Sequence, residues 1–264
     1  MSTDRRQWPR LVRSLAVALC LVIVVIGGWW AAGALRDRAE TVRTTARYDP
    51  PVLAGQMVTG ACSGGFYGRK DQTIVMTLSA HCLEPGVTLR DGAGGFIGVL
   101  GPRAQFAECP KGPYCAPSDF LTLALAADRI PWGHLNMVDL GAGGYVTLDP
   151  GTRPLACGDL RVGARVETDG LERYRTGRIL EVGPYEHETD TNFPCMAAVN
   201  IQVSIGDSGA AVLVDGEPAG VIARQIGSAF GFTPLAEGLE NLGLTLCTTP
   251  DCDLTPASVV QPTE

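Results

Sequence analysis

The chain has 264 residues, 45 % of them hydrophobic and 19 % charged, which excludes a disordered, low-hydrophobicity polymer. Its net charge of −7 is unevenly spread: residues 1–47 hold eight Arg against three acids, leaving 13 basic and 25 acidic groups on the remainder. So acidic a body binds phosphate backbones poorly, which argues against a nucleic-acid partner.

Residues 1–13 form a basic segment with Arg5, Arg6, Arg10 and Arg13. Residues 14–35 follow without a single charge, close to the ~20 residues a membrane helix needs. Trp29 and Trp30 near the far end suit the headgroup level. Ala32-Gly33-Ala34 has the small-x-small form of a signal-peptidase site, whereas the length of the apolar run favours a retained anchor. Both readings stand: a transmembrane signal anchor or a signal peptide. Of nine Cys, Cys20 lies in this segment and the other eight all follow it. An even number beyond an export segment reads as four disulfides in an oxidising space. The expected location is therefore extracytoplasmic, either single-pass in the cell membrane with residues 1–13 cytoplasmic, or secreted.

Residues 36–51 are polar, end in Pro50-Pro51 and read as a linker. From residue 52 onward, short apolar runs alternate with turn residues (33 Gly and 18 Pro in the chain), which predicts an all-β fold. Strands are expected at Thr73–Leu78 and at residues 120–125 and 199–203, from β-branched content or alternation. Val212-Leu213-Val214, then Asp215-Gly216, then Gly220-Val221-Ile222-Ala223 predicts a hairpin. One helix is expected at Leu235–Leu242, with Pro234 in the first turn, where proline is tolerated. Residues 248–264 form a tail, and its apolar-poor part from 254 onward is expected to lack fixed structure.

Three short segments carry chemistry. Leu78-Ser79-Ala80-His81-Cys82 closes one strand, Ser118-Asp119-Phe120-Leu121 opens another, and Gly206-Asp207-Ser208-Gly209 is a turn. A serine hydroxyl is a weak nucleophile and needs a base within hydrogen-bond reach. An imidazole supplies the base, and a carboxylate fixes its tautomer. Flanking glycines let backbone N–H groups converge on a developing oxyanion. Each segment alone is weak evidence; the order His, Asp, Ser on an exported β-rich chain points to His81, Asp119 and Ser208 as a catalytic triad.

With these segments the chain resembles the bacterial branch of the chymotrypsin-like serine proteases, the group of α-lytic protease and the streptogrisins. Cys62-Ser63-Gly64-Gly65-Phe66 and Ser79-Ala80-His81-Cys82 are similar to that branch's opening strands. Thr233-Pro234-Leu235-Ala236-Glu237-Gly238-Leu239 and Gly243-Leu244-Thr245-Leu246 resemble its final helix and strand. The resemblance implies a protease domain over residues 52–247. It would hold two Greek-key β-barrels of six strands each, at about 52–130 and 140–233, then a short C-terminal helix. The site would lie between the barrels, with an oxyanion hole from the backbone N–H groups of Gly206 and Ser208. The resemblance also implies a Cys62–Cys82 disulfide beside the histidine. Fixing that pair leaves fifteen arrangements of the other six cysteines; short spacing favours Cys109–Cys115 and Cys247–Cys252, leaving Cys157–Cys195.

The chain departs from the family pattern in its pocket. Ala223-Arg224-Gln225 stands where the family reads Ser-Trp-Gly, so Gln225 is expected to narrow the pocket. Gln202, six residues before Ser208, is neutral and gives no support for a preference for Arg or Lys. Gln202, Ala223 and Gln225 are thus the expected pocket residues, and a small or medium apolar side chain the expected preference. Asp207 is buried in relatives and needs a cation, either a new α-amino group or an Arg; the sequence leaves both open.

The expected activity is that of a serine endopeptidase acting on protein or peptide substrates through an acyl-enzyme, without cofactor or metal. The alternative is a tethered protease-like binding or zymogen-type domain with a partly closed pocket. An α/β-hydrolase is excluded, because Ala210 breaks G-x-S-x-G and no His follows His187. The three histidines (81, 134 and 187) form no metal-binding pattern.

Overall fold

The computed structural model describes residues 57–59, 62–91, 93–104, 107–109, 112–115, 118–170, 173–186 and 192–262. The segments at 1–13, 14–35 and 36–51 lie outside the described residues, as does His187. Among the described residues no helix is long and apolar enough to cross a membrane.

The first half contributes β1 (Met57–Thr59), β2 (Cys62–Ser63), β3 (Tyr67–Lys70), β4 (Thr73–Leu78), β5 (Thr88–Arg90), β6 (Phe96–Arg103), β7 (Ala107–Cys109), β8 (Gly112–Cys115) and β9 (Leu121–Leu125). The second half contributes β10 (Met137–Asp139), β11 (Tyr145–Thr147), β12 (Arg165–Gly170), β13 (Arg173–Glu186), β14 (Asn192–Val199), β15 (Ala211–Val214), β16 (Glu217–Ile226) and β17 (Ala229–Pro234). Helix α1 (Leu235–Leu242) and β18 (Thr245–Leu246) follow.

In the second half, β12, β13, β14, β17, β16 and β15 close into a six-stranded antiparallel barrel. Inward-facing Val166, Ile179, Val199, Val212, Ile222, Phe230 and Phe232 fill it. The Asp215-Gly216 hairpin is present: both residues have positive φ, 51° and 87°, which a two-residue loop of this kind requires. The first half differs from the barrel expected at about 52–130: with β18 it forms a six-stranded sheet in the order β18-β3-β4-β9-β6-β5, whose two edge strands do not pair with each other among the described residues. Strands β4 and β9 sit at its centre because their Thr-Ile-Val-Met-Thr-Leu and Leu-Thr-Leu-Ala-Leu runs are buried on both faces.

After the second barrel the chain returns to the first half. Leu235, Leu239 and Leu242 of α1 and Leu246 of β18 join the core of Tyr67, Met76, Leu121 and Leu123. Pro234 is the N-cap of α1 and keeps an extended ψ of 143°, so it stands just outside the first turn in which it was expected. Strand β14 ends at Val199, although the strand was expected to run to 203. Asn200 Oδ1 accepts the N–H of Arg178 (2.6 Å), a side-chain bond that replaces the ladder. The tail also departs from expectation. Leu254 and Val259 pack on the first core, and Val260 N–H donates to the Gln72 carbonyl (3.0 Å).

Disulfides join Cys62 to Cys82, Cys157 to Cys195 and Cys247 to Cys252. The backbones of Cys109 and Cys115 lie on the paired strands β7 and β8, while their side chains lie outside the description.

Candidate active site

Strand β4 delivers His81 to the junction between the halves. Just past its end, the buried Ser79 hydroxyl donates to the Ile222 carbonyl on β16 (2.6 Å). Ala80 N–H donates to the Asp119 carbonyl (3.2 Å), and Cys82 N–H closes a turn onto Ser79 (3.1 Å). His81 is therefore tied on one side to the second barrel and on the other to the start of β9. Asp119 precedes β9, and its side chain is only 4 % exposed. Its Oδ1 accepts the backbone N–H of His81 (3.1 Å) and its Oδ2 lies 2.7 Å from His81 Nδ1. An ionised carboxylate only accepts, so Nδ1 carries the hydrogen and Nε2 presents a lone pair. Ser208 Oγ lies 2.9 Å from that Nε2.

Ser208 stands in the turn between β14 and β15. The turn is held from outside by β2: Ser63 N–H donates to the Ser208 carbonyl (2.8 Å) and Ser63 Oγ donates to the Gly206 carbonyl (2.8 Å). Gly209 allows this approach, since a Cβ there would sit 2.3 Å from the Ser63 carbonyl oxygen, at a φ of 90°. Gly206, at φ 106°, has its N–H free, and so does Ser208: among the described residues neither amide donates a hydrogen bond.

Asp207 is fully buried, and its cation is Arg175 of β13, with Nη1 2.5 Å from Oδ2. The same oxygen accepts the N–H of Ser204 (2.6 Å), and Asp207 N–H donates to the Ser204 carbonyl (3.1 Å). Of the two cations left open by the sequence, an Arg fills the place.

A cleft of about 380 Å³ opens in front of Ser208 and His81. Val203, Ser204 and Ile205 form one wall, and Ile222, Ala223, Arg224 and Gln225 the other. The expected residues Ala223 and Gln225 line it. Gln225 does not cross it, because its Nε2 donates to the Gly227 carbonyl (2.8 Å). Gln202 is exposed and does not line the cleft; Val203 turns in instead. The lining residues absent from the sequence reading are Val203, Ser204, Ile205, Ile222 and Arg224. The lone charge of Arg224 in an otherwise apolar stretch of β16 was the available signal. His134 lies apart, its Nδ1 3.1 Å from Met137 Sδ.

No protein-family model and no curated protein matches the sequence. Among solved structures the chain is similar to the chymotrypsin of Cellulomonas bogoriensis, at 20 % identity and a TM-score of 0.56, covering 75 % of this chain and 99 % of that one. It is similar to protease A of Thermobifida fusca at 20 % identity and a TM-score of 0.57, covering 74 % and 97 %. A Nocardiopsis protease matches at 18 % identity and a TM-score of 0.57, covering 74 % and 98 %. At these identities the likeness is one of fold: the chain has the chymotrypsin-like fold of the bacterial serine proteases.

Proposed function

We propose that this protein is a serine endopeptidase. The observation that carries the reading is the run of hydrogen bonds from Ser208 Oγ to His81 Nε2 (2.9 Å) and from His81 Nδ1 to Asp119 Oδ2 (2.7 Å), facing an open cleft. In this mechanism Ser208 Oγ attacks the scissile carbonyl as His81 Nε2 takes its proton. Asp119 holds the imidazole in its tautomer and stabilises the imidazolium. The free N–H groups of Gly206 and Ser208 receive the oxyanion, where one lost donor costs about 10²–10³ in rate. His81 then protonates the leaving amine, and water, deprotonated by the same nitrogen, releases the acyl group.

The substrate backbone has a place to lie. Strand β15 pairs with β16 only as far as Val221, so residues 223–225 keep a free edge towards the cleft. An extended peptide adds to such an edge as a further strand. Peptide or protein is thus the substrate class.

In the same proposal residues 52–247 are the protease unit, 14–35 an anchor or signal, and the location extracytoplasmic. The three disulfides among the described residues fit an oxidising compartment.

The test is covalent labelling of the full chain by a fluorophosphonate, beside Ser208→Ala and His81→Ala, together with hydrolysis of a mixed peptide substrate. Labelling and turnover confined to the parent protein are expected. Turnover at the parent's rate in Ser208→Ala would remove the assignment.

A further inference from the structure

Among the described residues lining the cleft, Arg224 is the one permanently charged side chain and none is a carboxylate. Its guanidinium carbon sits over the Phe193 ring at 4.9 Å from the centroid and near the Tyr185 ring at 5.9 Å. Stacking on aromatic faces holds the planar fork in place and leaves its edge for hydrogen bonding. Among the described residues the buried Nε has no acceptor and no acid pairs with the group. A buried donor without a partner costs free energy that an incoming acceptor would recover.

The backbone accounts for its position. Between Ile222 and Arg224 the pairing of β16 with β17 shifts: Ile222 faces Phe232, Arg224 faces Gly231, and Ala223 is the extra residue of a bulge. A bulge breaks the strict alternation of a strand and re-aims the side chains beside it. Ile222 is itself fastened to the nucleophile turn, its carbonyl accepting from Gly209 N–H (2.8 Å) and its N–H donating to the Ala210 carbonyl (3.0 Å). Arg224 is two residues on, ~7 Å along the strand at the usual rise.

Resting on the protease reading above, we propose that Arg224 is a specificity-determining residue that selects substrates with an acidic side chain about two residues from the scissile bond. A carboxylate there accepts from the guanidinium edge in a bidentate fork, the pairing for which Arg is suited. The apolar Val203 and Ile205 then contact the residues on either side.

The experiment separates this inference from the protease reading by using binding rather than turnover. In full-length Ser208→Ala, affinities are measured for peptides of one sequence in which each position in turn is Glu or its isostere Gln. At one position Glu is expected to bind ~10-fold tighter than Gln at low salt, with the ratio falling as salt rises. The ratio is expected to collapse to about one when Arg224→Gln is added, and to survive in part with Arg224→Lys. Equal or undetectable binding of Glu and Gln peptides at every position overturns the proposal, as does discrimination that persists in Arg224→Gln. Because the salt-dependent ratio is read first on the Arg224-containing protein, a poorly folding Arg224 variant does not decide the matter. Fluorophosphonate labelling of the parent protein reports on Ser208 independently, so either reading can fail while the other stands.

Discussion

The hydroxyl of Ser63 donates to the carbonyl of Gly206 at 2.8 Å, a bond that spans 143 residues of sequence and joins the two halves at the turn that carries Ser208. Both groups are buried, and Ser63 N–H holds the Ser208 carbonyl as well. Ser63→Ala strands a buried acceptor, which costs about 1–3 kcal/mol of stability. It also frees the Gly206 peptide to rotate, so fluorophosphonate labelling is expected to slow by ~10-fold. Stopped-flow or gel-based labelling rates check this; a stability loss with an unchanged rate would leave Ser63 only a tether.

Arg175 is the cation of Asp207, whose side chain is fully buried while that of Arg175 is 16 % exposed. Arg175→Ala leaves a buried carboxylate without its cation, for which a loss of about 3–5 kcal/mol is expected. Adding Asp207→Asn to the same chain removes the stranded charge and is expected to recover part of it. Urea unfolding of the single and double variants measures the coupling.

Gly238 lies within α1, where alanine ordinarily gains up to about 1 kcal/mol over glycine. Here the sign reverses. A Cβ would stand 2.3 Å from Phe120 Cδ2, and Phe120 is fully buried beside Asp119. Overpacking of this kind costs about 1–3 kcal/mol. Gly238→Ala is expected to lower Tm and to slow Ser208 labelling through displacement of Asp119. A raised Tm would show that α1 shifts freely.

Backbone N–H of Gly95 (2.7 Å), then the Arg129 guanidinium (2.8 Å), hold the Asp91 carboxyl below its ordinary value of 3.8. A depressed pKa in the folded state stabilises the fold above the unfolded pKa, and that contribution is lost as pH falls through the folded one. The Tm difference between wild type and Asp91→Asn is therefore expected to be full at about pH 6 and to shrink below about pH 4. Thermal melts across that range check it; a difference constant down to about pH 2 would contradict it.

Much of the site was legible because its residues sit in local motifs. The strand Thr73–Leu78 announces itself by β-branched residues, and Leu235–Leu242 by helical spacing between Pro234 and Gly243. His81, Asp119 and Ser208 each stand at the edge of a recognisable segment, and the fold brings them within hydrogen-bond distance. What stayed hidden depends on pairing across the chain. Arg175 lies 32 residues from Asp207 on β13, where no motif marks it. Arg224 reaches the cleft because a bulge alters the register, which alternation alone does not reveal. Val203 replaces Gln202 in the wall because Asn200 ends β14 early by bonding the backbone of Arg178. Each miss is a contact made by tertiary register rather than by sequence neighbours.

The pairing of β18 with β3 gives the molecule an order of assembly. By residue 125 a ribosome has made β3, β4, β9, β6 and β5, every other strand of the sheet that carries His81. Yet the outer edge of β3 stays bare, and the space taken by Leu235, Leu239, Leu242 and Leu246 stays empty, until residue 246 has been added. An unfinished chain thus has its histidine on an incomplete sheet, while Ser208 belongs to a barrel whose last strand ends only at Pro234. In the proposed reading the Ser208 hydroxyl meets a firmly held His81 only after residue 246 has been added, so peptide-bond cleavage waits until both halves are complete.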